Sequence, residues 1–264
     1  MTFPDPFSGA VVVSVVSHGH GPTVQPLLYA LVAGVQAGTS VVQRVVLTLN
    51  LPESAPVPPP EGWPFVLQII HNARPAGFGA NHNRALARAV EPFVCVLNPD
   101  VVLADGDPFA ALVQAAAAPG IGCAYPVQVD AQGQLQDSER ALPTPKALWR
   151  RRALGQREVR VDWVNAACLV LPQPVWQALG GFDESYFMYC EDVDLCLRMR
   201  LAGLTLVRAP VQIEHGGQRA SHRCWAHLRW HLYSLLRLWR SPVYRQARQL
   251  LRAEVQHTGT IGAS

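Results

Sequence analysis

Three carboxylates fall within four residues, at Glu191, Asp192 and Asp194. They close the stretch Gly180-Gly181-Phe182-Asp183-Glu184-Ser185-Tyr186-Phe187-Met188-Tyr189-Cys190, in which two glycines open a turn and aromatics fill a short connector. Leu195, Leu197, Met199 and Leu201 mix with Arg198 and Arg200 ahead of Gly203, a pattern that predicts a helix starting at the acids and stopping at the glycine. Acids crowded against aromatics at a helix start can hold a general base. The same acids suit the positive end of a helix dipole, worth about 0.3–1 kcal/mol each. Asp194 and Arg198 also stand at the i,i+4 spacing of an ordinary surface pair. Both readings are open on this run alone.

Further chemistry-bearing residues lie upstream and downstream. The apolar run Phe93-Val94-Cys95-Val96-Leu97 ends in Asn98-Pro99-Asp100. Proline pushes the residue before it out of the helical region, so the strand ends there. Asp100 is then expected at the carboxyl end of a strand, the edge where open α/β sheets bind ligands. Gly77-Phe78-Gly79-Ala80-Asn81-His82-Asn83 reads as a small-residue loop entering a helix at Arg84 to Val90. His215 follows the strand Val211-Gln212-Ile213 and precedes Gly216-Gly217.

In this order the pieces resemble the family 2 glycosyltransferases, most closely their rhamnosyltransferase-like bacterial branch. The matching parts are a first strand ending near Ser17, the loop at 77–83, NPDVVL at 98–103, the run at 180–198, and His215 with Gly216 and Ser221. The resemblance spans about residues 10 to 222 and implies a single GT-A domain, an α/β nucleotide-sugar-binding sheet with an acceptor-binding half. It implies a nucleotide-diphosphate sugar donor, with Ser17, Asn50, Asn72, Gly77, Asn81 and Asp100 on the donor side. A hard divalent cation, Mn2+ or Mg2+, suits a diphosphate, and the resemblance gives it Asp100 and His215 as ligands. Asp192 aligns with the acid of the family's ED motif and is the expected general base; Glu191 orients that site or is the base instead. Direct displacement with one base implies inversion at the anomeric carbon. The acceptor is expected to be a cell-envelope or capsular glycan, free or lipid-linked.

One residue departs from the family pattern. Members usually carry an Asp before the Asn that ends the second strand, where it reads the nucleotide base; here the sequence is Val46-Leu47-Thr48-Leu49-Asn50. Leu49 cannot accept a hydrogen bond through its side chain. Another residue reads the base, with Asn50 and Asn72 as candidates, or donor binding is weakened. The alternative function is a GT-A domain of little or no turnover that serves as a binding partner in glycan assembly.

The elements that must hold these residues alternate as in a mostly parallel sheet. Strands are expected at Ala10–Val16, Val41–Leu49, Phe65–Ile70 and Phe93–Leu97, with helices at Thr23–Gln36 and Asp107–Ala118. The loop Ser17-His18-Gly19-His20-Gly21 is not G-x-G-x-x-G, which argues against a dinucleotide-binding dehydrogenase. It has no Lys or Arg either, which argues against a nucleotidyltransferase. Two loop histidines without acid partners suggest solvation rather than a metal. Six prolines between Pro52 and Pro64 make a stiff connection. Val127 to Gly133 reads as strand and turn, residues 137–160 as a polar, arginine-rich loop or short helix near the acceptor, and Val161–Leu171 as strand.

The six cysteines form no C-x-x-C pair and lie mostly in apolar segments, which fits buried thiols in a reducing cytoplasm. No signal peptide or membrane-spanning run is evident. The net charge of +3 is uneven: Arg219 to Arg252 holds eight arginines and no Asp or Glu. Trp225, Trp230, Tyr233, Trp239 and Tyr244 interleave them. Residues 1–218 are therefore read as the catalytic domain and 219–264 as a basic, aromatic-rich helical extension. Such an extension lies on an anionic membrane surface, here the inner face of the cytoplasmic membrane, or packs on the catalytic domain; the two are compatible. No nucleic-acid motif accompanies the charge, so nucleic acid is not an expected partner.

Overall fold

The computed structural model describes residues 9–155, 160–216 and 225–261. Gly217, Arg219, Ser221 and Arg157, to which the sequence drew attention, lie outside the described residues.

Valine-rich β1 (Val11–Ser17) is buried along its whole length. It forms the middle of an eight-stranded sheet with β2 (Val42–Leu49), β3 (Val66–His71), β4 (Phe93–Leu97), β5 (Val101–Val102), β6 (Ile121–Val129), β9 (Cys168–Pro172) and β10 (Thr205–His215), in the order β3-β2-β1-β4-β9-β6-β10-β5. The strands run parallel except β9, antiparallel to both β4 and β6, and β5, antiparallel to β10. A two-stranded ribbon, β7 (Glu139–Arg140) with β8 (Trp163–Val164), stands apart from it.

Period-two alternation divides each central strand between two cores. Val11, Val13 and Val15 of β1 pack with α1 (Gly21–Gln36) and α3 (Phe109–Ala116) through Leu27, Leu28, Leu31, Phe109 and Leu112. Val12, with Val94 and Val96 of β4, faces α2 (Phe78–Leu86), α5 (Gln173–Leu179) and α6 (Glu191–Leu201) through Leu86, Trp176, Leu195 and Leu197. Five of the six cysteines, Cys95, Cys123, Cys168, Cys190 and Cys196, are buried and free. The C-terminal helices α7 (Trp225–Arg240) and α8 (Pro242–Ile261) put Leu235, Leu238, Tyr244, Ala247 and Leu251 into this second core. Their inner faces are therefore packed on the α/β core.

Some expected boundaries move. The 77–83 segment is helix, not loop: α2 begins at Phe78 with Gly77 as its N-cap and ends at Leu86 rather than Val90. Its glycines answer to close packing. A Cβ on Gly77 would lie 2.8 Å from the Phe187 carbonyl oxygen, and one on Gly79 2.6 Å from Phe182 Cβ. The strand expected at 161–171 is broken at Asn165-Ala166-Ala167. The polar segment at 137–160 contains β7 and α4 (Pro145–Leu154), capped by Thr144 Oγ1 accepting from the Ala147 N–H at 3.0 Å. β10 is far longer than Val211–Ile213, because the ladder resumes past Pro210 after a register shift between Arg208 and Gln212.

Candidate active site

The break at Asn165–Ala167 is the hinge pin of the site. The Ala167 carbonyl accepts the Asn98 N–H at 2.8 Å, and the Ala166 N–H supports the Asp192 carboxylate. The segment thus fixes the end of β4, while the Asp192 carboxylate accepts the Val193 N–H at 2.8 Å at the start of α6. Asn165 is itself fixed by the Gln128 amide at 2.5 Å.

The chain enters α6 through two consecutive left-handed residues, Tyr189 (φ 72) and Cys190 (φ 69). Neither is glycine, so each costs on the order of 1–3 kcal/mol. Surrounding contacts hold them. The Phe187 carbonyl accepts from Phe78 N–H at 2.9 Å, the Met188 carbonyl from Ser234 Oγ at 2.8 Å, and Tyr189 OH meets His227 Nδ1 at 2.9 Å. The turn separates the two acids. Glu191 is buried and its Oε2 has no hydrogen-bond partner; burial, then the neighbouring Asp192 charge, pushes its carboxyl well up, which favours the neutral form. Asp192 is half-buried. Burial raises its carboxyl too, while the Val193 N–H, the Arg140 guanidinium and the Ala166 N–H work against the rise. Of the pair, Asp192 is the one that solvent and a ligand can reach. Asp194 turns to Arg198 at 2.7 Å, so this pair is structural.

Asp100 and His215 meet across the short β5–β10 pairing, with His215 Nε2 3.4 Å from Asp100 Oδ1 and Gly216 N–H donating to the Asp100 carbonyl at 3.0 Å. Burial opposes the Asp100 charge, but the facing His215 and, further off, His20 outweigh it and hold the carboxyl below its ordinary value. Gln136 clamps His215 from behind: its amide donates to the His215 carbonyl at 2.6 Å, and its Oε1 lies 3.3 Å from Nδ1. In the neutral tautomer with the proton on Nδ1, donated to Gln136, the Nε2 lone pair would instead face the carboxylate and that lowering would be lost. Two electron-rich atoms so placed call for a proton or a cation between them.

The asparagines expected on the donor side form one network around the loop after β3. Asn50 Oδ1 accepts from Asn72 Nδ2 (2.8 Å) and Ala76 N–H (2.8 Å), while its Nδ2 faces His18 Nδ1 (2.9 Å) and the Ala76 carbonyl (3.0 Å). Its capacity is full. Asn72 also donates to Asn81 Oδ1 at 2.7 Å and accepts from Arg84 at 2.8 Å. These side chains hold one another and the backbone at Ala76, and reading a base would cost Asn50 an existing partner. Ser17 is fully buried and donates to Glu53 Oε2 at 2.7 Å.

Glu53 is the residue that sequence reasoning missed. Its Oε1 accepts Gly19 N–H (2.8 Å) and its Oε2 also accepts Gly21 N–H (3.0 Å), so it ties the first strand-to-helix loop together at the amino end of α1. With Ser17, Leu47, Leu49 and Val57 it lines a cleft of about 440 Å³ at the carboxyl ends of β1 and β2. Nothing in the proline-rich connector marked it; its one signal was being an acid shortly after a strand end.

Residues 61–252 match the family described as glycosyltransferase like family 2. The chain belongs to that family. Among this glycosyltransferase's relatives is the N-acetylglucosaminyl-diphospho-decaprenol L-rhamnosyltransferase of Mycobacterium tuberculosis, 27% identical over 270 residues that cover 88% of this chain and 87% of the relative. Another is the rhamnosyltransferase WbbL of Escherichia coli, 26% identical, covering 86% and 91%. The fold is that of the solved Pyrobaculum calidifontis mannosyltransferase in complex with GDP-Man and Mn2+, with a TM-score of 0.57 and 15% identity, covering 96% of this chain and 80% of that one. Glucosyl-3-phosphoglycerate synthase from Mycobacterium tuberculosis shares it at a TM-score of 0.51 and 15% identity, covering 86% and 78%. The glycosyltransferase therefore has a GT-A fold.

Among the described residues no three of His, Cys, Asp and Glu gather as a metal cluster. The donor set at Asp100 nevertheless fits a divalent cation. Asn98 Oδ1 is buried without a partner, its Nδ2 lies 3.5 Å from His215 Nε2, and Asp100 completes an oxygen-rich trio with one imidazole. A cation that binds diphosphate needs only one or two carboxylates from the protein.

Proposed function

We propose that this protein is an inverting glycosyltransferase that moves a sugar from a nucleotide-diphosphate donor to a lipid-linked or cell-envelope glycan. The observation that carries the reading is the pairing of β5 with β10, which sets Asp100 against His215 with the orphaned Asn98 Oδ1 beside them, in a chain whose half-buried Asp192 opens α6. The names of the rhamnosyltransferase relatives support a deoxyhexose such as rhamnose as the sugar.

Asp192 takes the proton of the acceptor hydroxyl as its oxygen bonds to the anomeric carbon. The bond from that carbon to the diphosphate breaks on the opposite face, its electron pair leaving with the phosphate. A base so oriented contributes about 10²–10⁴-fold. Glu191, buried and pushed toward its neutral form, adds little competing charge behind it. Asp100, His215 and Asn98 would hold Mn2+ or Mg2+, which when bound offsets the charge of the departing diphosphate. Glu53 stands in for the acid absent at Leu49: it presents a carboxylate in the cleft beside β1 and β2 and retains accepting capacity for a base N–H. Peripheral residence at the inner face of the cytoplasmic membrane follows from a lipid-linked acceptor.

The test is incubation with a panel of nucleotide-diphosphate sugars, with and without Mn2+, following release of nucleoside diphosphate. Release that needs one donor and the cation supports the reading. A donor that binds and is never turned over, with any acceptor, favours a binding-only GT-A domain instead.

A further inference from the structure

We propose that the outer face of α7, continued by α8, is a docking surface for an anionic lipid bilayer. The proposal rests on the lipid-linked acceptor only for its purpose; the surface itself is read from the helices. α7 is apolar on two sides. Leu235 and Leu238 face the core, yet Leu228, Leu232 and Leu236, at i, i+4 and i+8, make a ridge that is 37%, 53% and 46% exposed. Beside it runs a second exposed ridge of Arg229, Tyr233 and Arg237. On α8 the buried Tyr244, Ala247 and Leu251 fix the rotation, which turns Arg245, Arg248 and Arg252 outward together.

The composition commits this face to one occupant. Leucines and a tyrosine flanked by arginines, with no acid between Arg219 and Arg252, match the headgroup–acyl boundary of an anionic leaflet. Across from the face, Asp183 approaches Arg237 at 4.0 Å, and Asp183 and Asp194 share a cleft with Arg237 and Arg240. Glu254, on α8 itself, is engaged by Arg160 and Arg200. No described helix is long and apolar enough to cross a membrane, so the contact is interfacial.

The face also borders the chemistry. Trp230 of α7 packs at a tilt against the exposed Phe187, ring centroids 5.1 Å apart, and His227 holds Tyr189, in the strained turn that delivers Asp192. A bilayer under α7 would bring a lipid-borne acceptor to the acceptor side of the base.

The experiment is flotation of the full-length protein with vesicles of phosphatidylcholine alone or with about 30 mol% phosphatidylglycerol, at about 0.1 and 0.5 M salt. The protein should float with the anionic vesicles, and binding should weaken at least about tenfold with the added salt or without the anionic lipid. L232S/L236S alters exposed positions only and should weaken binding by about tenfold or more while its melting temperature and its release of nucleoside diphosphate from free donor stay unchanged. No flotation of a folded protein, or equal flotation of the variant, overturns the proposal. So does a dimer in solution that L232S/L236S converts to monomer, because the ridge then belongs to a second copy. Vesicle binding is read without turnover, so its failure is distinct from failure of the glycosyltransferase reading.

Discussion

Replacing Leu49 by Asp restores the acid usual in the family and should nevertheless damage this protein. Leu49 is 2% exposed, pairs with Ser17 and His71 on neighbouring strands, and belongs to the core shared with α1 and α3. Losing its burial costs about 1.5–3 kcal/mol. An aspartate there, desolvated and near the Glu53 carboxylate, would have its pKa raised by roughly two to three units, a further 3–4 kcal/mol at neutral pH. The combined loss of about 4.5–7 kcal/mol is a large part of a typical 5–15 kcal/mol stability and corresponds to a fall of about 10–28 °C in melting temperature. Scanning calorimetry of Leu49→Asp and Leu49→Asn separates the parts, since Asn carries only the lost burial and an amide to satisfy. The Asp deficit should shrink on going from pH 7 toward 5, because a raised carboxyl pKa destabilises the fold only while the group is forced to give up its charge. Nucleotide affinity should not improve. A Leu49→Asp protein that melts within about 3 °C of wild type and binds the nucleotide more tightly would refute the reasoning and return the base-reading role to position 49.

Asp100→Ala should abolish the Mn2+-dependent part of nucleotide binding, with His215→Ala weakening it less; titration calorimetry with and without the cation reads both, and unchanged affinity in Asp100→Ala removes its ligand role. His82 is buried against Ser14 Oγ at 2.8 Å, and burial lowers its pKa to about 3. A histidine with a depressed folded pKa contributes stability that is present above about pH 6.5 and lost as pH falls toward about 3, at up to about 1.4 kcal/mol per unit. The difference in stability between wild type and His82→Gln should follow that slope, and a flat difference would show that His82 is not buried neutral. Gly79→Ala, whose Cβ would lie 2.6 Å from Phe182 Cβ, should cost about 1–3 kcal/mol by thermal melting.

The parts of the fold legible in the sequence were those with strong local patterns. β4 spans Phe93–Leu97 as expected because an uninterrupted apolar run meets Asn98-Pro99, and α6 starts at its acids and stops by Gly203 for equally local reasons. Local pattern failed where tertiary contacts decide. The glycines of α2 imitate a loop, but they are there to admit Phe187 and Phe182. β5 has two residues and no signature, yet its pairing with β10 brings Asp100 to His215. Gln136 and Glu53 lie in turns and a proline-rich connector, and only the folded chain puts them beside His215 and Ser17. The separation of Glu191 from Asp192 was equally hidden, because it follows from two left-handed residues that are not glycine.

The account stands most directly on transfer itself. The decisive measurement is mass-spectrometric detection of a sugar-extended lipid-diphosphate glycan after incubation with nucleotide-diphosphate rhamnose, related donors and Mn2+, comparing wild type with Asp192→Asn across pH. The account predicts a product of inverted configuration, and a wild-type rate that rises with pH as the raised carboxyl of Asp192 ionises. It predicts a turnover about 10²–10⁴-fold lower in Asp192→Asn, with donor affinity nearly intact. Turnover within tenfold of wild type in that variant, or retention of configuration in the product, would contradict it.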